Sequence, residues 1–285
     1  MIPGFYFDAA RLKGLSAQKR DEFLSSKPFP HVVIDSFVDP EILDRVANEF
    51  PGPDDPAWYL WGPGPAKHSN DRRVEKLGLS AEDGFGPLTR HLMHLFNSRP
   101  FLEFIESLTG VSRVFPDPAF NACGLHSTGR GGRLMIHVDH NRWPVRGQLH
   151  QRLNLILFLN RDWKEEYGGH LELWSRDAKH CEKKILPVFN RMVLFDTGRY
   201  SYHGHPDPLN CPPEMRRNSL AVYYYVIDRP LDANYRGLQS IQWAPTARGD
   251  RLGVFVHKAT YLASRVTPPF IWDRMRRMLR KSPSA

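Results

Sequence analysis

At 285 residues, with 41% apolar side chains and a net charge of +8, the chain can form one large domain whose core needs no disulfides. Its three cysteines have no metal-finger spacing, and their odd number indicates a reducing compartment rather than a secreted, cross-linked protein. No run approaches about 18 uninterrupted apolar residues and the N-terminus is unlike a signal peptide, so we expect a cytoplasmic protein with no transmembrane segment.

The first region, residues 1–118, is predicted to be a support built from helices and one strand. Asp39 is suited to the N-cap of a helix and Pro40 to its first turn, ahead of apolar residues at helical spacing. The Pro- and Gly-rich segment 51–86 is longer than an ordinary loop, and we interpret it as a lid over a pocket. The predicted elements are helices at 16–24, 41–50, 87–97 and 100–108 and a strand at 28–38.

From residue 119 onward the pattern changes from helical to β. Short apolar runs separated by Gly, Pro and Asn are typical of an antiparallel sandwich or jelly roll. We therefore predict a mostly β fold with flanking helices, in which residues 119–228 form the core and the helices brace one outer face. The predicted strands are 120–125, 133–138, 152–159, 170–174, 185–187, 192–195 and 219–226.

Residues 229–285 are predicted to be a basic extension that forms one integrated domain with the rest. A strand is predicted at 252–256 and a helix at 269–280. Residues 231–285 carry ten Lys and Arg against three Asp, which is +7 of the net charge. Such a segment can attract anionic partners, although a solvated, solubilising end is the favoured interpretation and nucleic acid is not an expected partner.

Alternation along two predicted strands separates a core face from a pocket face. One face of 152–159 carries four leucines, whereas the opposite face carries Asn154 and Phe158, the mixed lining expected of a ligand cavity. In the last strand, the face headed by Arg217 and Ser219 is small and partly polar. That face leaves room for a bound dicarboxylate between Arg217 and a metal.

The candidate metal ligands are His137, Asp139 and His203. Residues two apart on a strand project from the same face, so His137 and Asp139 can converge on one point. His203 follows more than 60 residues later, after a Gly-Arg-Tyr-Ser-Tyr turn. Two histidines and one carboxylate are the coordination set of a non-haem Fe(II) oxygenase. His205 remains an alternative to His203, and Arg216 to Arg217.

The core resembles the Fe(II)/2-oxoglutarate-dependent dioxygenases, in the branch similar to prolyl 4-hydroxylases. The resemblance is carried by His137-Val-Asp139, the segments 155–163, 168–173 and 190–195, His203, and Arg217-Asn-Ser219. It implies a double-stranded β-helix, a cupin-like jelly roll, as the core. It also implies Fe(II) held by His137, Asp139 and His203, with 2-oxoglutarate chelating the iron while Arg217 pairs with its distal carboxylate.

Further cosubstrate contacts follow from the same resemblance. Asn154, Phe158 and Leu171 fall on positions that line the cosubstrate site, and Ser219 shares the face of the arginine. Relatives usually carry a tyrosine on the strand before His-x-Asp, and the nearest equivalent here is His126. Dioxygen is the implied second cosubstrate, and ascorbate is a candidate stimulant.

The activity implied by the resemblance is hydroxylation of an unactivated C–H bond, with succinate and CO2 as co-products. The carboxylate of Asp139 favours this activity, because a small residue at that position would suggest a halogenase. The expected substrate is a small molecule or a peptidyl residue, anionic substrates included. Candidate substrate contacts are Trp61, Arg142, Trp143 and Tyr202.

Two other classes of protein remain open from the sequence. The first is a regulatory or binding protein that keeps the barrel and has lost turnover. The second is a cupin-type metal-dependent isomerase or hydrolase, which needs neither 2-oxoglutarate nor oxygen. Consumption of 2-oxoglutarate in the presence of Fe(II) distinguishes both of them from an oxygenase.

Overall fold

The computed structural model describes residues 5–60, 74–120, 122–139, 149–227, 242–246 and 250–267. The helices are α1 (Ala9–Ser25), α2 (Pro40–Asn48), α3 (Pro87–Phe96), α4 (Arg99–Thr109) and α5 (Asp250–Val266). The strands are β1 (His31–Ile34), β2 (Tyr59–Leu60), β3 (Leu77–Leu79), β4 (Phe115–Pro116), β5 (Gly124–Thr128), β6 (Leu134–Val138), β7 (His150–Phe158), β8 (Leu171–Trp174), β9 (Cys181–Ile185), β10 (Met192–Asp196), β11 (His203–His205), β12 (Arg217–Val226) and β13 (Gln242–Trp243). None of the helices in these ranges is long and apolar enough to cross a membrane.

Two antiparallel sheets carry the architecture. The large sheet runs β1-β10-β7-β12-β5-β3-β2, with β4 paired to β12, and the small sheet runs β13-β6-β11-β8-β9. Between the sheets, Phe158, Val193 and Phe195 of the large sheet pack against Leu171 and other apolar side chains of the small one. The N-terminal region contributes β1 to β4 to the large sheet, and the C-terminal extension contributes β13 to the small sheet.

The outer face of the large sheet is the main hydrophobic core. Leu153, Leu155 and Leu157 of β7 are fully buried in one cluster with apolar side chains of α1 to α4, including Phe101. Burying each leucine stabilises the fold by roughly 1.5–3 kcal/mol. The predicted division of this strand into a leucine face beneath the helices and a pocket face is confirmed.

Two of the predicted helices have an end that is marked by a residue in the sequence. The Oδ1 atom of Asp39 accepts hydrogen bonds from the backbone amides of Glu41 and Ile42, and α2 begins at Pro40. Gly110, with φ of 73°, ends α4 in the left-handed region that favours glycine. Of the four predicted N-terminal helices, α2, α3 and α4 agree within two residues at each end, whereas α1 begins seven residues before the predicted start.

The strand predicted at 252–256 is wrong, because these residues lie in the 17-residue helix α5. The β-branched and aromatic residues there favour a strand locally, but Asp250 starts a helix instead. Its buried carboxylate accepts hydrogen bonds from Arg133 Nη2 at 2.8 Å and from the Thr246 amide at 3.3 Å. The helix predicted at 269–280 lies outside the described residues.

Two further strand predictions are displaced. Phe120 and Ala122 have φ of 47° and 56°, so the chain turns there and β5 begins only at Gly124. The strand predicted at 185–187 is instead β9, which ends at Ile185. Its central residues are charged and exposed, so the apolar pattern shows only the end of the strand. The short strand β11 was not predicted.

Asn190 ties the chain after β1 to the turn before β10. Its Oδ1 accepts from the Val38 amide at 2.9 Å, and its Nδ2 donates to the Val38 carbonyl at 2.6 Å. We expect Asn190→Ala to destabilise the protein by about 1–3 kcal/mol, because the buried backbone groups of Val38 lose their partners. Urea unfolding measures this, with Asn210→Ala at an exposed position as the control. Equal unfolding midpoints for the two variants would contradict the prediction.

Candidate metal centre

His137, Asp139 and His203 converge between the two sheets. β11 pairs with β6 so that His203 lies directly opposite His137, and the two ring centroids are 4.5 Å apart. Asp139 follows β6, with Oδ1 at 3.4 Å from His137 Nε2 and Oδ2 at 3.6 Å from His203 Nε2. One ligand atom from each of the three buried residues lies within 4.8 Å of the others. This geometry can hold one metal ion.

Backbone carbonyls fix the orientation of both imidazoles. The Nδ1–H of His137 donates to the Met135 carbonyl at 2.8 Å, and the Nδ1–H of His203 donates to the Ser201 carbonyl at 2.9 Å. The lone pair of each Nε2 therefore faces the carboxylate. Burial, with His137 next to it, lowers the pKa of His203 to about 4, so this ring is neutral near pH 7 as a metal ligand must be.

A second set of contacts holds the three side chains in place. Asn154 Nδ2 and Gln151 Nε2 donate to Asp139 Oδ2 at 3.2 Å and 3.4 Å. The ring of Phe195 lies 4.8 Å from that of His203, and the ring of Trp243 lies 5.1 Å from that of His137. Such partners orient metal ligands and tune their affinity. Asn154, predicted as a cosubstrate contact, thus also supports the carboxylate.

The donor set fits Fe(II). Two imidazole nitrogens and one carboxylate oxygen suit that ion, and a three-residue set leaves coordination positions for other ligands. The Nε2 atoms of His137 and His203 lie 3.4 Å and 3.6 Å from the carboxylate oxygens of Asp139. The three side chains are therefore close enough to bind one divalent metal ion together.

Arg217 reaches the space between the sheets, whereas Arg216 does not. Arg217 Nε donates to the Gly169 carbonyl at 2.6 Å, and its guanidinium lies 4.9 Å from the centre of the Phe158 ring. Burial lowers its pKa to about 9, so it still carries its charge near pH 7. Arg216 Nε donates instead to Ser127 Oγ at 2.7 Å, and Arg216 stands on the other face of β12.

The remaining predicted cosubstrate contacts share the face of Arg217 or stand opposite it. Ser219 pairs in register with His126 on β5 and with Phe158 on β7, so the three side chains line one face across adjacent strands. Leu171 packs with Phe158 from the opposite sheet. Burial lowers the pKa of His126 well below its usual value, and the charges of Lys76 and Arg217 lower it further.

The candidate substrate contacts are described only in part. Tyr202 is half-buried just before β11, and burial raises the pKa of its hydroxyl. Trp61, Arg142 and Trp143 lie outside the described residues. The segment interpreted as a lid contributes β2 and β3 to the large sheet, and its residues 61–73 are also outside the described ranges.

Sequence reasoning missed Lys76 and Trp243. Lys76 is two residues before Gly78, which pairs with His126, so the lysine stands on the pocket face. Burial lowers its pKa to about 7, with Asp139 raising it and Arg217 lowering it. Trp243 pairs in register with His137 from the C-terminal extension. Lys76 directly precedes the three-residue strand β3 and Trp243 ends the two-residue strand β13, and both strands are too short to show alternation.

Residues 123–225 match the model of the 2OG-Fe(II) oxygenase superfamily. Among characterised proteins, Prolyl 3-hydroxylase OGFOD1 of Mus musculus is 29% identical over 79 residues, which is 26% of this chain and 14% of that relative. The chain therefore matches only a small part of that relative's length.

Two solved structures share the fold. A Trichoplax adhaerens prolyl hydroxylase, in complex with a hypoxia-inducible-factor peptide, superposes with a TM-score of 0.54 and 16% identity, covering 76% of this chain and 91% of its own. A Pseudomonas putida prolyl-4-hydroxylase superposes with a TM-score of 0.51 and 13% identity, covering 74% of this chain and 98% of its own. The predicted double-stranded β-helix is confirmed by these likenesses and by the family match.

Proposed function

Because residues 123–225 match the model of the 2OG-Fe(II) oxygenase superfamily, we propose that the protein is an Fe(II)- and 2-oxoglutarate-dependent hydroxylase of an unactivated C–H bond. One observation carries this proposal. Two imidazoles and a carboxylate lie within 4.8 Å of one another in a pocket that also holds the buried guanidinium of Arg217. The pocket thus offers a metal site together with a binding group for a carboxylate.

His137, Asp139 and His203 would hold Fe(II) through the two Nε2 atoms and the carboxylate. With the metal bound, 2-oxoglutarate and dioxygen supply the oxidising chemistry, in which one oxygen atom enters succinate as CO2 leaves and the other enters the substrate. Arg217 pairs with the distal carboxylate of 2-oxoglutarate, since a guanidinium matches a carboxylate with two parallel hydrogen bonds.

The apolar walls serve to exclude water from the reaction. Phe158 and Leu171 face each other between the sheets and are almost fully buried. A dry pocket strengthens the pairing between Arg217 and its carboxylate, and it shields reactive states from solvent. Asn154 keeps the carboxylate of Asp139 oriented during the cycle, through the hydrogen bond at 3.2 Å.

The proposed substrate class is a peptidyl residue or a small molecule, and a prolyl peptide is the first to test because the similar proteins are named prolyl hydroxylases. Lys76 stands on the pocket face, and the charge of its ammonium form favours substrates that carry an acidic group. We place the protein in the cytoplasm, on the strength of its cysteine usage.

The test is formation of succinate from 2-oxoglutarate by the Fe(II)-loaded protein in air, alone and with prolyl peptides that contain or lack acidic residues. Succinate must depend on iron, oxygen and 2-oxoglutarate, and must vanish in Asp139→Ala. A peptide substrate must gain 16 mass units. A regulatory barrel would give no succinate, and a cupin-type isomerase or hydrolase would convert its substrate under nitrogen without 2-oxoglutarate.

Gly169 sets the position of Arg217. Its φ of 71° favours glycine, and an added Cβ would lie 2.5 Å from Leu209 Cδ2 and 3.0 Å from Arg217 Cδ. We expect Gly169→Ala to raise the Kd for 2-oxoglutarate by about tenfold or more, because a displacement near 1 Å disturbs a two-bond clamp. Calorimetry measures the Kd, with Gly168→Ala as control, since that glycine has a similar φ of 68° but a Cβ there meets nothing within 4 Å. Unchanged affinity would contradict the role of Gly169.

A further inference from the structure

His205 is a buried imidazole that the proposed metal site does not use. The residue is only 3% exposed, and neither Nδ1 nor Nε2 has a hydrogen-bond partner in the structure. It is also absent from the group of residues that can hold a metal, which comprises His137, Asp139 and His203 among the described residues. A buried polar group left without a partner destabilises a fold, so both nitrogens call for an explanation.

The strand register places His205 across the pocket from Arg217. β11 pairs with β8 through Gly204 and Glu172, and the same ladder continued by one residue brings His205 beside Leu171. Two residues before Leu171 is Gly169, whose carbonyl accepts the hydrogen bond from Arg217 Nε. The imidazole and the guanidinium therefore approach one end of the pocket from opposite sheets.

The electrostatics of the two side chains agree with this placement. Among the charged and titratable groups near His205, Arg217 acts on it most strongly, followed by Lys76 and His137. In either charge state an imidazole carries at least one N–H. A ligand that fits between these groups must accept hydrogen bonds and carry negative charge, as a carboxylate does.

We propose that His205 donates a hydrogen bond to the distal carboxylate of 2-oxoglutarate, beside the guanidinium of Arg217, and so acts as a positioning residue for the cosubstrate. This proposal rests on the proposed function. Arg217 alone selects for negative charge, whereas a second donor from the opposite sheet fixes where that charge must lie. Together they make the pocket selective for a five-carbon 2-oxo diacid over 2-oxo acids that lack the second carboxylate.

The experiment compares two ligands on the Fe(II)-loaded protein under anaerobic conditions by calorimetry. The ligands are 2-oxoglutarate and pyruvate, which offers the same chelating end without the distal carboxylate. The variants are His205→Leu, which removes the donor, and His205→Gln, which restores an N–H of different reach. His91→Leu is the control, because that imidazole on α3 contacts the Phe5 carbonyl outside the pocket.

We expect His205→Leu to raise the Kd for 2-oxoglutarate by roughly 10- to 100-fold, the usual range for a hydrogen bond to a charged group. The Kd for pyruvate should stay within about twofold, and His205→Gln should recover part of the loss. The melting temperature of the apoprotein should not fall, because the leucine replaces two nitrogens that have no partner in the structure. A purely structural histidine would instead lower the melting temperature and leave the ratio of the two affinities unchanged.

Two failures are distinguishable. If the wild-type protein binds no 2-oxoglutarate, the proposed function and the role of His205 both fall. If the wild-type protein binds it and His205→Leu binds it equally well, or loses both ligands to the same degree, only the role of His205 is overturned. In that second case His205 is a structural residue of a functional oxygenase.

Discussion

Replacement of Asp139 by alanine is expected to lower the affinity for Fe(II) by more than about 100-fold, and to abolish turnover. Loss of a mere supporting partner of a metal ligand costs about 10- to 100-fold, and Asp139 supplies the only anionic donor of the three residues that can hold the metal. The two imidazoles that remain, whose ring centroids are 4.5 Å apart, supply no anionic donor. Nothing in the remaining set then balances the charge of the ion.

The fold should survive this replacement. Asn154 and Gln151 lose an acceptor for their amide groups, but the hydrophobic clusters on both faces of the large sheet are untouched. Titration with Mn(II) measures the affinity, monitored as the loss of the electron paramagnetic resonance signal of the free ion. Circular dichroism checks the fold. Asp35→Ala is the control, because that exposed carboxylate pairs with Arg191 at the protein surface. A folded Asp139→Ala variant that binds the ion as tightly as wild type would refute the ligand set.

The second large effect is expected from Arg217→Leu, which should weaken 2-oxoglutarate binding by about 30- to several-thousand-fold. Truncating one partner of a buried charge pair costs about 2–5 kcal/mol, and each 1.4 kcal/mol is tenfold in affinity. The cost arises because the distal carboxylate is left buried between Phe158 and the opposite sheet without a charge partner. Metal affinity should be unchanged, since Arg217 lies outside the ligand set.

Arg216→Leu is the matched control for this prediction. The two residues are adjacent on β12, yet Arg216 donates to Ser127 Oγ on the other face. Arg217→Lys should fall between the two variants, because lysine keeps the charge and loses the planar two-bond fork. Calorimetry on the Fe(II)-loaded protein under anaerobic conditions measures the 2-oxoglutarate affinity of all three variants. A loss of affinity in Arg216→Leu that equalled the loss in Arg217→Leu would reassign the cosubstrate clamp.

What the sequence predicts well are side chains whose placement depends on local periodicity. The period of two along β7 and β12 separates Leu155 from Asn154 and Arg216 from Arg217, because each strand has one face on the helices and the other on the pocket. Capping residues are a second local signal, and they mark where a helix begins, as Asp39 does for α2. The sequence left Arg216 as an alternative to Arg217, and in the structure Arg217 is the one that faces the space between the sheets.

The pocket residues that the sequence does not predict are those placed by strand pairing between distant segments. Lys76 reaches the pocket only because a three-residue strand adds to β5, and Trp243 packs on His137 only because a two-residue strand adds to β6. Strands this short carry no alternation, so their register is fixed by the sheet they join rather than by their own residues. The mistaken strand at 252–256 has the related cause that local β-propensity gives way to tertiary context.

Anaerobic titration of the apoprotein with Fe(II) and 2-oxoglutarate, followed by visible absorption, tests most directly whether one pocket binds both. We expect a metal-to-ligand charge-transfer band that requires both ligands, saturates at one equivalent of each, and is absent from Asp139→Ala. Saturating additions that produce no band and no heat of 2-oxoglutarate binding in the folded wild-type protein would contradict this expectation.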